Sequence, residues 1–403
     1  MQKKNKNFVL IVLDALRGDH VNECYMPFLH SLKSRSIFVK NLNVSSGFCE
    51  RSEIFFGQYP RESGFVHAIS PNSKVKPYAW LSERKARFLK IFELTPILKK
   101  ILRRVLWKLS IILGDGMYPQ RIPLSILRKF GLTEDSIDFE DYSVKIKKGL
   151  LYTVISQGFK VDWRFFTSLS STNQSSDSKK LQNVPMHLAT SCNQFLPVYI
   201  GAPDEYGHRF GPHSSGLITK LGDIDKELEK FYLSCRNVDP DVTLCFLGDH
   251  GMEAVTKAID LQKEITKIAF NLKVIEGVDF GVFLDSTSVR FWFYKKSASL
   301  SSFIAEIKNN YLFCNFGRFL DDELCGFENL PPVNEIADLI WWAAKGIQVA
   351  PDYFDDDPKG KLGMHGYLKA DDISSGFVIS NSSQNDLAYF KDCRCNELSE
   401  ILF

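Results

Sequence analysis

Three apolar runs in this chain lead into an aspartate: Phe8–Leu13 before Asp14, Phe195–Ile200 before Asp204, and Val242–Gly248 before Asp249. Histidines keep set distances from two of them. His208 follows Asp204 by four residues and His250 follows Asp249 directly. His365 stands between Gly363 and Gly366 near the far end. Carboxylate oxygens and imidazole nitrogens in such a mixture suit zinc or manganese. Six ligands are too many for one structural zinc and about right for two cations. A pair roughly 4 Å apart can stabilise both the attacking and the leaving oxygen of an in-line displacement at phosphorus. His20, His30, His67, His187 and His213 lack this setting, although His213 follows closely enough in Gly211-Pro-His-Ser to line such a site.

The elements that must carry these residues follow from the same runs. A continuous Val, Leu and Ile run reads as a strand buried on both faces, as in a parallel sheet. Open α/β sheets place their ligands at the carboxyl ends of such strands, so one edge would gather all three aspartates. The expected fold is an α/β three-layer sandwich, a mostly parallel central sheet with helices on both faces and a helical cap insert. Pro27 opens a short helix, Ile37–Leu42 is a strand, and a helix begins near Cys49 or Glu50 and stops at Gly57. Later segments read as a helix through Leu217–Phe231, two strands between Val274 and Tyr294, a helix over Ser299–Asn309 and a last strand from Gly376. Residues 1–70 and 190–403 are expected to form the metal-binding domain, and residues 71–189 a cap.

Within that cap, Pro96 opens a segment with apolar residues at 97, 98, 101, 102, 105, 109, 112 and 113, and Gly114 ends it. Its other face carries Lys99, Lys100, Arg103, Arg104 and Lys108. Such a helix either packs as a lid with a solvated basic face or lies on an anionic membrane surface. Ser168–Lys180 reads as a polar loop. The whole chain, 403 residues at a formal charge of +2, makes no case for binding duplex nucleic acid. Nine cysteines without Cys-x-x-Cys spacing argue against a disulfide scaffold or zinc finger and for a reducing compartment. The basic start and its short apolar run do not make a secretory signal, and no apolar stretch is long enough to span a bilayer. The expected location is cytoplasmic, with possible peripheral membrane contact through 96–113.

Five motifs carry a family resemblance: Val12-Leu-Asp14-Ala-Leu-Arg17-Gly, Phe55-Phe-Gly57-Gln-Tyr-Pro60, Pro203-Asp204-Glu-Tyr-Gly207-His208, Gly248-Asp249-His250-Gly-Met252 and Met364-His365-Gly-Tyr367. In this order they resemble the alkaline phosphatase superfamily, in its type I phosphodiesterase, nucleotide pyrophosphatase and sulfatase-like branch. The resemblance implies one cation, zinc or manganese, on Asp14, Asp249, His250 and a nucleophile. It implies a second on Asp204, His208 and His365, and a phosphodiester or nucleotide-type substrate. The family places Thr, Ser or a modified Cys ten residues before the glycine matched by Gly57. Here that position is Gly47.

The neighbouring candidates are Cys49, Ser46 and Ser52. Cys49 is preferred, because a thiolate there would meet a helix amino end and a cation, both of which lower its pKa. Ser46 is the hydroxyl alternative, and water is the third. Arg51 is expected to clamp a phosphoryl oxygen or pair on the helix surface, and Arg290 to contact substrate or pair with Asp285. Arg51 lies too close to Cys49 for the sulfatase motif, and no second aspartate follows Asp14, which weakens a sulfatase-like reading. The expected function is a two-metal phosphodiester hydrolase. The alternatives are transfer of a phospho-alcohol to a glycan or lipid at a membrane, and an inactive binding homologue, as Gly47 would allow.

Overall fold

Asn7–Leu13 (β1) is buried at every position, as a Val, Leu and Ile run must be when helices cover both faces of its sheet. The computed structural model describes residues 6–113, 116–167, 175–189, 192–369, 375–381 and 388–403. The elements that position the site follow β1 in this order: α1 (Pro27–Leu32), β2 (Ile37–Asn43), α2 (Glu50–Phe56), α3 (Glu83–Leu89), α4 (Pro96–Leu113), α5 (Gly149–Ser156), β3 (Lys160–Val161), β4 (Gln194–Ile200), α6 (Ala202–Phe210), α7 (Ser215–Val238) and β5 (Thr243–Gly248). Then come β6 (Phe280–Leu284), β7 (Ser288–Phe293), β8 (Gly317–Phe319), β9 (Leu339–Ala343), β10 (Gly376–Ser380) and β11 (Tyr389–Arg394).

The central sheet has seven strands in the order β11-β2-β10-β5-β1-β4-β3. β1 runs parallel to β4 and β5, with Leu13 opposite both Ile200 and Gly248. That register brings the carboxyl ends of the three strands level. Among the described strands of this sheet only β10 runs against its neighbours. Side chains alternate along β1 with the period of two that a strand imposes. Val9, Ile11 and Leu13 pack against α1 and α7. Phe8, Leu10 and Val12 pack against Ile54, Phe55 and Phe56 of α2 and Leu150, Leu151 and Val154 of α5. These are the three layers of an α/β sandwich.

A second, antiparallel sheet follows, β6-β7-β9-β8. Its core holds Trp341 and takes in Tyr78, Leu106, Ile126, Phe130 and Leu132. The stretch 71–189 contributes to three cores. Its first half packs on the second sheet. Its second half packs on α2, adds β3 to the central sheet, and sends Phe165, Leu181, Val184 and Leu188 to the side of α1 and α7. Hydrophobic periodicity announces one helix of this stretch, Pro96–Leu113, but not its other helices or the sheets whose apolar faces they cover.

α4 occupies the expected span, Pro96–Leu113; its proposed stop, Gly114, lies outside the described residues. Its inward side differs from the one its stripe predicts. Leu102, Arg103, Leu106 and Ser110 are buried, while Ile97, Ile101, Val105 and Ile112 are exposed. Arg103, expected on the solvated face, donates to the carbonyls of Pro119 and Ile122 at 3.2 and 2.8 Å and pairs with Glu93. Buried carbonyls need donors, and the guanidinium supplies several at once. In the stretch read as a polar loop, residues 168–174 lie outside the described set, and Asp177–Asn183 is a helix capped by Ser176. No helix among the described residues is long and apolar enough to cross a membrane.

Candidate active site

The strand register sets Asp14 beside Asp249. Oδ1 of Asp249 accepts from the backbone N–H of Ala15 at 3.0 Å and of His250 at 2.9 Å. Ala15 takes a left-handed φ of 55° to make the turn, a conformation that costs a non-glycine residue energy and recurs at functional sites. The Tyr199 hydroxyl donates to Asp14 Oδ2. His250 Nδ1 bonds the Gly251 carbonyl at 2.9 Å, which leaves Nε2 facing Asp14 Oδ1 at 3.3 Å and Asp249 Oδ1 at 3.8 Å. That nitrogen is buried and makes no hydrogen bond.

Asp204 stands in the first turn of α6, not at the strand end where the sequence pointed. His208 is one turn further on the same helix face. The Nε2 atoms of His208 and His365 lie 3.1 and 3.4 Å from Asp204 Oδ1. The Gly363 carbonyl fixes the His208 ring through Nδ1 at 2.8 Å, the kind of outer contact that orients a ligating imidazole. At Gly207 a Cβ would stand 2.4 Å from Met252 Sδ, so a larger residue there displaces the Met252 side chain beside the loop that carries His250.

The six residues thus form two groups, Asp14 with Asp249 and His250, and Asp204 with His208 and His365. In each group the ligand atoms lie within 4.8 Å of one another. The rings of His250 and His365 stack at 4.3 Å between centroids, so the groups share a wall. Burial, with Asp14 and Glu50 adding to it, pushes the Asp249 carboxyl well up against the pull of His250. Burial opposes charge on His250, yet Asp249, Asp14 and Glu50 push the imidazole well above its ordinary value. Burial likewise opposes charge on Asp204, and the imidazoles of His208 and His365 hold its carboxyl well below the usual range. Crowded carboxylates, unbonded lone pairs and an oxygen–nitrogen donor set fit a divalent cation in each group.

The expected nucleophiles are not there. A small pocket between the groups is lined by Ser45, Gly47, Glu50, His250, Glu253 and His365, among others, but by neither Cys49 nor Ser46. Cys49 is buried, and desolvation together with Glu134 and Glu50 pushes its thiol well up, opposite to the lowering expected at a helix end. The Ser46 hydroxyl donates to Glu328 and accepts from the Lys369 N–H at 2.9 Å. Ser52 Oγ donates to Glu134 at 2.5 Å. At Gly47 φ is 117°, and a Cβ would meet the Val66 carbonyl oxygen at 2.4 Å. A side chain at 47, the position that the resemblance assigns to a nucleophile, would thus collide with the backbone at Val66.

Arg51 pairs with Asp135 at 3.5 Å and lies over the Phe166 and Tyr199 rings. It also lines a cavity of 690 Å³ with Thr167, Lys180, Tyr199 and Tyr206, next to Asp14 through Tyr199. Of the two roles expected of Arg290, the structure shows the pairing with Asp285 and not the substrate contact. Arg290 is fully buried in β7, 3.7 Å from Asp285, donates to the Ile69 carbonyl at 3.0 Å, and lies over Phe283. Sequence reasoning also missed Tyr199 and Glu50 as site residues. Glu50 reads as an ordinary acidic residue in the first turn of a helix, and only the tertiary approach of His250 distinguishes it.

Comparison with known proteins places the chain. Residues 8–368 match the family model of type I phosphodiesterase / nucleotide pyrophosphatase, and the chain belongs to that family. A venom phosphodiesterase of Naja atra is 42% identical over 64 residues, which is 15% of this chain and 8% of that protein. GPI ethanolamine phosphate transferase 2 of Yarrowia lipolytica is 37% identical over 79 residues, 18% of this chain and 9% of that protein. The matched stretches thus span less than a tenth of these relatives' length. Among solved structures, murine ectonucleotide pyrophosphatase/phosphodiesterase 5, an inactive variant in complex with AMP, superposes with a TM-score of 0.64 at 13% identity, covering 99% of this chain and 94% of that one. Its human counterpart has a TM-score of 0.64 at 15% identity and the same coverage. These two share the fold.

Proposed function

We propose that the chain hydrolyses phosphodiesters of nucleotide type by in-line displacement at phosphorus with two divalent cations. The observation that carries this reading is the pair of ligand groups on either side of the stacked His250 and His365 rings. Asp14, Asp249 and His250 would hold one cation and Asp204, His208 and His365 the other. Zinc suits this nitrogen-containing set, with manganese as the alternative. When bound, such a pair supplies Lewis acidity to the phosphoryl oxygens and balances charge on the entering and leaving oxygens. Gly47 offers no hydroxyl, and Cys49 and Ser46 face elsewhere, so attack falls to water. Its oxygen bonds phosphorus as the bond to the leaving alcohol breaks, and the alcohol departs with a proton. Tyr199 steadies Asp14. The adjoining cavity, with Arg51, Lys180 and two tyrosine rings, suits an anionic, aromatic nucleotide.

Turnover of bis-p-nitrophenyl phosphate tests the reading. The protein cleaves it, a chelator abolishes cleavage, and Asp249→Ala lowers it by at least about 100-fold. Metal-free protein with full diesterase activity in Asp249→Ala overturns the mechanism.

A second reading concerns place and acceptor, and the outward apolar face of α4 favours it. Residues 83–113 carry nine Lys or Arg against two Glu. Phe88, Leu94, Ile97, Ile101 and Ile112 are each more than half exposed. An apolar groove of 390 Å³ runs between α3 and α4. Apolar side chains rimmed by cations suit the headgroup region of an anionic leaflet, and cytoplasmic leaflets are anionic. The nine cysteines are unpaired, in keeping with a reducing compartment. On this reading the enzyme works on the cytoplasmic membrane surface, where a lipid or glycan alcohol replaces water as acceptor.

A further inference from the structure

We propose that Glu50 is a ligand of the cation held by Asp14, Asp249 and His250, so that this centre is closed by a third carboxylate from the chain. The inference rests on the two-cation reading above and extends it to a residue that neither the motifs nor the ligand groups include.

The geometry centres on His250 Nε2. The His250 side chain is 7% exposed, and Nε2 has no hydrogen-bond partner. Around it stand three carboxylate oxygens, at 3.3 Å from Asp14, 3.7 Å from Glu50 and 3.8 Å from Asp249. In a tetrahedral zinc site with bonds near 2.1 Å, neighbouring ligand atoms lie about 3.4 Å apart. Asp14, Asp249 and His250 already gather their ligand atoms within 4.8 Å of one another, and Glu50, 3.7 Å from His250 Nε2, stands at the edge of that group and joins it by a change of its own side-chain torsion. A hydrogen-bonded carboxylate would instead approach the nitrogen to within about 3.2 Å.

Glu50 is also directed by its surroundings. It lines a small pocket together with His250 and His365. The other carboxylate lining that pocket, Glu253, is drawn off by Lys345 at 3.4 Å and Arg17 at 3.9 Å. Among the described residues, the ion-pair contact of Glu50 is with His250. Three carboxylates and one imidazole make a harder and more negative ligand set than two carboxylates and one imidazole, so Glu50 shifts the centre toward manganese.

Metal binding by the full chain tests this without reference to turnover. Wild type, Glu50→Gln, Glu50→Asp and Asp249→Ala are stripped of metal and titrated with Mn²⁺ by calorimetry, and with Co²⁺ by visible absorption. Thermal melts of the stripped proteins check that each is folded. Wild type binds two ions. Glu50→Gln weakens one of them at least tenfold for Mn²⁺ and changes the Co²⁺ spectrum, while Glu50→Asp falls between. If Glu50→Gln binds two ions with wild-type affinity and spectrum while Asp249→Ala loses one, Glu50 is not a ligand and the two-cation reading stands. If wild type binds no ion tightly, the two-cation reading fails and this inference fails with it.

Discussion

Glu53 lies one turn beyond Glu50 and faces the protein interior. Burial pushes its carboxyl up to about 7 from 4.5, against hydrogen bonds from the Ser45 N–H and hydroxyl at 2.7 and 2.6 Å. The folded chain keeps that proton to about pH 7, whereas the unfolded chain releases it near 4.5. Between these values the folded state binds more protons, so the contribution of Glu53 to stability is complete below 4.5 and is lost as pH rises through 7. Glu53→Gln lacks this slope. Relative to wild type, its unfolding free energy should rise by up to about 3 kcal/mol between pH 4.5 and 7.5. Denaturant melts at the two pH values read this out, and parallel curves would contradict it. The same turn of helix shows where sequence stops informing. The Asp and His spacings announce five of the six ligand candidates because strand ends and helix period bring them together, and His365 is announced by its motif alone. Whether Cys49, Ser46 or Glu50 faces the cations depends on contacts with Glu328, Glu134 and Val66, and no local pattern encodes those.

Helix α4 makes a similar point at the level of elements. Its length and amphipathic character are plain from Pro96 onward, yet its buried side is centred on Arg103 and Leu106. An apolar stripe shows that a helix wants a partner, and here the described fold leaves much of the stripe in the open. The expected consequence is binding to vesicles containing phosphatidylserine and little binding to neutral phosphatidylcholine vesicles. Reversing Lys99, Lys100, Arg104 and Lys108 to glutamate, with Arg103 kept because it is structural, should weaken sedimentation with the anionic vesicles at least tenfold, since each such cation contributes about 1 kcal/mol near the surface. Unchanged sedimentation would remove the membrane from the account. Arg290 belongs to the same lesson. Its sequence neighbours Asp285 and Ser288 permit an exposed loop or a sealed strand, and the second sheet decides for the strand.

For the molecule as a whole, the candidate cation ligands come from the end of β1, α6, the end of β5 and the loop at His365, so the site exists only when the central sheet is closed. An ion that binds the folded chain alone stabilises it by about 2.7 kcal/mol at a hundred times its dissociation constant. Stripping both with a chelator should lower the melting temperature by several degrees, and restoring zinc or manganese should recover it. An identical melt with and without chelator would mean that the ligand groups hold nothing. The sandwich was legible because its strands are continuous apolar runs. The second sheet, and the way 71–189 divides among three cores, were not, because they depend on pairings between segments far apart in the chain.

The backbone at residue 47 sets a limit on the chemical history open to this protein. A threonine introduced there by a single codon change collides with the carbonyl of Val66 before it can reach phosphorus. A variant meant to attack phosphorus from residue 47 must first rebuild the bend around Val66, and on the reading proposed above water does that work in its place.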